Sequence, residues 1–219
     1  MVEAETKSKP EAKVIREEEI PRLLVPGEMG AGLELIVKDK DGKVTEKRVM
    51  KSESFVRQFM ELLFIAFTSN WKQNRYSIRD TGNVVRYVYK DRDSHLRCDA
   101  GAGAVTNGVV VGTGTVAPTI DDYALGAIIA HGTGAGQLQY SAMTFGAPAS
   151  DATTSQFTLT RDFANGSGGA ITVNEIGLFV QAYDDAYQYF MTIRDVIAGG
   201  ISVPNGQTLT VNYRIQAVV

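Results

Sequence analysis

The sequence predicts a mainly β protein: an antiparallel β-sandwich, jelly-roll-like, with an N-terminal arm, a β-hairpin and one amphipathic to apolar helix. Three observations predict it. Apolar residues recur with period two through most of the chain after Arg75. The runs are separated at short spacing by Gly, Pro and Asn, as in NGSGG at 165–169 and PNG at 204–206. Only one long segment, ESFVRQFMELLFIAFTSN, carries a helical period, and no helices of crossover length alternate with the strands.

Charge divides the chain. Residues 1–100 hold 19 of the 22 Lys and Arg and 17 of the 25 acids, whereas residues 101–219 hold 3 and 8, with 17 of the 22 glycines. Such a shift marks regions with different jobs. The reading is an extended arm over 1–30, a hairpin-helix-hairpin region over 31–100 and a glycine-rich sandwich region over 101–219, the last two able to form one domain. A net charge of −3 excludes a generally basic nucleic-acid binder. The single cysteine, Cys98, cannot close an internal disulfide and agrees with synthesis in a reducing compartment.

The opening stretch MVEAETKSKPEAKVIREEEIP alternates acids and bases without an apolar core, so a signal peptide is not expected. Residues 33–50 follow as two strand-like runs around Lys40, Asp41 and Gly42, a D-G step that predicts a hairpin. A helix is predicted over about 53–68, capped by Ser52, with Phe55, Phe59, Leu62, Leu63 and Ala66 as its stripe. Val56, Met60, Phe64 and Phe67 widen that stripe, which requires burial on several sides, inside the domain or in an assembly. FMELLFIAF is too short to cross a bilayer and contains Glu61. A second hairpin is expected around Thr81, Gly82 and Asn83.

The stretch VVVGTGTVAPT places Gly112, Gly114 and Ala117 in a G-x-G-x-x-G/A frame after an apolar run. A dinucleotide site would need a helix to start within that turn, and Pro118 biases Ala117 toward extended backbone instead. The nearest helix start is Thr119, with Asp122 three residues on. A turn between sheet elements is the better reading.

Strands are expected at 137–145, 155–163, 170–180, 187–195 and 207–219, with AGG at 198–200 as a separator. In the last, Leu209, Val211, Tyr213, Ile215 and Ala217 share a face opposite Thr208, Thr210, Asn212, Arg214 and Gln216. In AITVNEIGLFV the parity slips between Val173 and Ile176, which calls for a bulge near Asn174 and Glu175.

Residues for chemistry are sparse, and the chain is not expected to be an enzyme or to carry a cofactor. The two histidines do not cluster: His95 lies in a charged loop three residues before Cys98, and His131 is placed to pack or cap a turn. Asp121/Asp122 suit a cap and Asp184/Asp185 a hairpin loop, neither in a calcium-loop frame. Trp71, Tyr76, Tyr87 and Tyr89 mix with basic residues, but Asp80, Asp91 and Asp93 interrupt them, so a half-buried hairpin is favoured over a nucleic-acid surface.

The stretches VVVGTGTVAPTIDDYAL, HGTGAGQLQYSAMTFGAPASDATTSQFTLTRDFANGSGGAITVNEIGLFV and ISVPNGQTLTVNYRIQ resemble virion structural proteins of tailed phages, over roughly residues 108–218. NEIGLF and the closing PNGQTLTVNYRI carry most of the likeness. The resemblance implies a β-sandwich building block and transfers no catalytic residue. The expected function is therefore a structural subunit made in the host cytoplasm and located in the virion. It assembles as a homo-oligomer on head, neck or tail, with copies of itself and other virion proteins as partners, and without specific nucleic acid, membrane or metal. The interface candidates are Val14, Ile15, Leu23, Leu24, Phe64 and Phe67. The alternative is a receptor- or glycan-binding tip on the same sandwich, with Tyr123, Tyr183 and Tyr187 as aromatic contacts to a host-surface glycan.

Overall fold

The structure is a computed structural model that describes residues 24, 26–52, 55–67, 76–88 and 96–219. Its elements are β1 (Met29–Lys38), β2 (Val44–Ser52), α1 (Arg57–Phe67), β3 (Tyr76–Arg79), β4 (Val85–Val88), β5 (Gly108–Gly112), β6 (Gln139–Tyr140), β7 (Thr144–Phe145), β8 (Ala149–Ser150), β9 (Thr154–Ala164), β10 (Ile171–Asp184), β11 (Ala186–Val203) and β12 (Thr208–Val218). The chain is mainly β, antiparallel throughout its named strand pairs, with one helix among the described residues.

One sheet runs in the order β2-β1-β12-β9-β6, with β7 and β8 also pairing β9; a second runs β11-β10-β5; β3 and β4 form a separate hairpin. The two larger sheets face each other as a sandwich. Between them lies a single apolar core drawn from both, including Leu33, Leu35, Val211 and Tyr213 on one side and Val109, Ile176 and Ile201 on the other. The pairing of β1 with β12 puts part of the hairpin-helix-hairpin region in the same sheet as the glycine-rich back half.

The first hairpin forms where Asp-Gly predicts it, and the acid before that step organises it. Asp39 Oδ1 accepts the N–H groups of Asp41 and Lys43, both at 2.9 Å, while Gly42 adopts φ +79°. Asp80 does the same for the second hairpin, accepting from Gly82 and Val84 at 2.9 Å. On β12, Leu209, Val211 and Tyr213 are fully buried as the alternation predicts, while Ile215 is half-buried and Ala217, at the end of the same face, is exposed.

The expected bulge is present: the β10–β11 register shifts between Val173 and Glu175, and Val173 and Ile176 are both buried. Its partner departs from expectation, because AGG does not end a strand. Gly199 and Gly200 lie inside β11 at φ +74° and +62°, so the three small residues form the other half of the irregularity.

Three local expectations are corrected. Ser52 does not cap α1; it closes β2, and its hydroxyl donates to Asp195 Oδ2 at 2.8 Å. The helix starts later, at Arg57, because the chain just before it is paired with β11: Phe55 bridges Ile193 antiparallel and Val56 N–H donates to Thr192 O. Of the expected stripe Leu62 is fully buried, Phe55, Phe59 and Leu63 are half-buried and Ala66 is exposed; Gln58 and Ile65 complete the buried side, and Met60 and Phe64 face out. Finally, Thr119 and Asp122 bond reciprocally but close only a turn, with no helix after it.

Candidate functional site

The glycine loop after β5 binds an anion, and the anion is part of the chain. Glu175, on β10, is fully buried. Its Oε1 accepts the N–H groups of Gly114 at 3.0 Å and Ala127 at 2.9 Å, and its Oε2 accepts that of Gly126 at 3.1 Å. Arg194, on β11, donates Nε and Nη2 to the same Oε2 at 3.1 and 2.9 Å. Converging backbone N–H groups form a nest that selects negative charge. Here a carboxylate fills it, and the loop covers the outer side of β10.

Glycine is required because the carboxylate must come close. A Cβ on Gly112 would sit 2.6 Å from Glu175 Oε1, and one on Gly114 would also meet Glu175 inside contact distance. Arg194 completes the tie by donating to Asp122 Oδ2 at 2.7 Å and Val116 O at 3.0 Å. Burial disfavours its charge, but the bonds to Asp122 and Glu175 outweigh that, and its pKa is raised. The Asp122 carboxyl is held below its ordinary value, since bonds from Thr119 and Arg194 outweigh its own burial.

A second buried cation has no carboxylate partner. Arg161 occupies an inward position on β9, in register with Val211, and is fully buried. Its guanidinium donates to five backbone carbonyls: Ser141 at 2.9 Å, Asn107 at 3.2 Å, Val109 at 2.8 Å, Gly101 at 3.1 Å and Ala104 at 2.7 Å. These five bonds match its donor complement. Tyr140 stacks beside it at 4.9 Å. Burial pulls the Arg161 pKa down to about 10, leaving it charged at neutral pH. The arrangement clasps the loop before β5 to the first sheet.

Asp195 forms a third internal tie, with Oδ2 accepting from Ser52 Oγ and Tyr213 Oη at 2.8 Å each. Burial, and then the Asp195 charge, push the Tyr213 hydroxyl well above its ordinary pKa. Burial likewise raises Tyr140 to about 12 and Cys98 to about 11. Groups raised in the fold stabilise it fully below their unfolded values and lose that contribution as pH rises through the folded ones. The urea midpoint is therefore expected to hold up to about pH 9 and fall from there toward pH 12, with Cys98 the first contributor. A midpoint unchanged between pH 8.5 and 11 would contradict this.

Two clefts open among the described residues. The first, of about 380 Å³, is apolar and lies between the sheets at one end of the sandwich. Phe157, Leu159 and Ile215 line one wall and Leu178, Val180 and Ile193 the other; Phe55, Phe59 and Leu96 to Asp99 stand at its mouth with Phe145. Phe145 is 50 % exposed and Phe157 39 % exposed. The second, of about 490 Å³, is polar and lined by Arg57, Gln58, Glu61, Ser77, Arg79, Val85 and Asp121. Arg57 pairs with Asp121, the Arg79 guanidinium lies 5.6 Å from the Tyr123 ring centre, and burial raises the Glu61 pKa against the charge of Arg57. The buried Gln58 Oε1 has no hydrogen-bond partner.

Of the interface candidates, Leu24 is buried over Gly30 of β1, Phe64 is 54 % exposed beside Met60 on α1, and Phe67 ends that helix. Val14, Ile15 and Leu23 lie outside the described residues, as do most of the arm, His95, Trp71 and Tyr89. His131 caps a strand, its Nδ1 accepting from Tyr140 N–H at 3.0 Å. Tyr183 and Tyr187 meet edge-on across the β10–β11 turn at Asp185, while Tyr123 lies in another loop. Among the described residues no three His, Cys, Asp or Glu side chains are grouped to hold a metal, and no helix is long and apolar enough to cross a membrane. The apolar cleft was legible only in part: the shared parity of Phe157, Leu159 and Phe163 marks an inward face, but not where the facing sheet stops covering it.

Together these features define an antiparallel β-sandwich whose buried charges are spent on its own loops and whose described residues leave an apolar cleft at one end. Comparison with known proteins finds no family model, no curated protein and no solved structure that matches the chain.

Proposed function

We propose that this chain is a structural subunit of a phage-type virion, a sandwich that assembles with copies of itself. The observation that carries the reading is the open apolar end, where Phe145 and Phe157 remain exposed around a cleft continuous with the core. Leaving such a surface in water costs about 25 cal/mol per Å² of apolar area, a cost that association removes. The outward Met60 and Phe64 of α1 add a second apolar surface. Meanwhile Glu175, Arg194, Arg161 and Asp195 make internal bonds that position loops, which suits a rigid building block. The phage assignment itself draws on the resemblance of the turn-and-strand pattern. Sedimentation velocity at rising concentration is expected to show a discrete oligomer, and electron microscopy a closed ring; a strict monomer at about 100 μM would overturn the reading, since stable interfaces give far tighter association.

A second reading rests on the polar cleft, where two arginines, two carboxylates and Tyr123 gather as planar polar groups beside an aromatic ring. That is a surface for the hydroxyls of a host-surface glycan. A glycan array is expected to show saturable binding that Arg79→Ala removes; no binding on any surface glycan would dismiss it.

A further inference from the structure

We propose that the apolar cleft of one copy receives residues 14–23 of a neighbouring copy, an inference that rests on the assembly reading and names its docking site. The cleft needs an apolar occupant, because its walls are Leu, Ile, Val and Phe side chains and charge is confined to the Arg97–Asp99 pair at its mouth. The segment VIREEEIPRL supplies one: Val14, Ile15, Ile20 and Leu23 stand among Arg16, Glu17, Glu18, Glu19 and Arg22, so apolar side chains can enter while the charged ones stay in water at the mouth.

The place where the described chain begins indicates whose cleft is filled. On β1, Ala31, Leu33, Leu35 and Val37 face the core, so Gly30 faces away from it. Leu24 packs on Gly30, with its side chain where a Cβ on that glycine would be. The chain therefore reaches the sheet from its outer side, while the cleft opens on the inner side. Both lie at one end of the sandwich, since Gly30 pairs with Gln216, next to Ile215 of the cleft wall. To enter its own cleft, the arm would have to reverse around the sheet end. A neighbour is within reach without that reversal, since 23 extended residues span up to about 75 Å.

The test uses the full chain with the photoreactive amino acid benzoylphenylalanine in place of Ile15, with ¹⁴N- and ¹⁵N-labelled copies unfolded, mixed in equal amounts, refolded together and irradiated. Mass spectrometry is expected to find cross-links from the arm to peptides carrying Phe157, Ile193 or Ile215, about half of them joining light to heavy copies. Phe157→Glu, at a position already part-exposed, should cut their yield at least fivefold, with circular dichroism reporting that the fold persists. Cross-links confined to one isotope would place the arm in its own cleft and overturn the proposal. An oligomer, confirmed by sedimentation, whose cross-links fall elsewhere would also overturn it while leaving the assembly reading standing. A strict monomer would remove both.

Discussion

Replacing Glu175 with glutamine is expected to lower the free energy of unfolding by about 3–5 kcal/mol, the usual cost of removing one partner from a buried pair. The carboxylate accepts five hydrogen bonds, from three backbone N–H groups and two Arg194 nitrogens. An amide keeps one oxygen and turns two N–H donors toward groups that are themselves donors. Arg194 is then left with Asp122 as its only carboxylate, in a site where it is almost entirely buried. Glu61→Gln is the contrast. Burial holds its pKa up, so its ionised form is disfavoured in the fold, and neutralising it at pH 7 should not lower stability. Urea unfolding followed by circular dichroism separates the two, and equal midpoints would refute the account of the nest.

Arg161→Met is expected to cost a similar amount, about 3–5 kcal/mol, although replacing a buried ion by an apolar residue is often neutral. The difference lies in what remains. In an ion pair both charges can be removed together, but here the partners are backbone carbonyls of Gly101, Ala104, Asn107, Val109 and Ser141, which no side-chain change removes. Each carbonyl left buried without a donor costs about 1–3 kcal/mol, and relaxation of the loop toward water limits the total. Arg161→Lys should recover only part, because an ammonium has three donors on one nitrogen and cannot span carbonyls that a planar fork reaches. Hydrogen exchange should show the 101–107 segment opening first. A methionine variant as stable as the native protein would sink this argument.

Sheets and hairpins could be read from residues because their signals are local. Asp41-Gly42 marks a turn through the backbone freedom of glycine, and the alternation along β12 follows from side chains pointing to opposite faces. The bulge at Glu175 could be found because a buried strand cannot change parity without an extra residue. Ser52 and Thr119 show where the same logic fails. Both are good caps by type, yet Ser52 is claimed by Asp195 and the Thr119 turn by Arg194 through Asp122, partners more than 70 residues away. The inward Arg161 carried a signal of its own, a charged residue on the parity of Leu159 and Phe163, but its five acceptors come from loops that sequence does not place.

By itself the sequence determined the mainly β class, the two hairpins, the burial of Leu209, Val211 and Tyr213 on β12 and the bulge at Glu175, since each follows from conformational preferences of neighbouring residues. The expected strand at 137–145 is instead divided into β6 and β7, and β11 runs through AGG. Only the tertiary structure decided that the glycine loop after β5 grips Glu175, that Arg161 holds the core without a counter-charge, and that the described residues leave an apolar cleft at one end of the sandwich. Those outcomes depend on which distant groups meet in a medium that penalises unpaired charge, and that meeting is a property of the packed sheets.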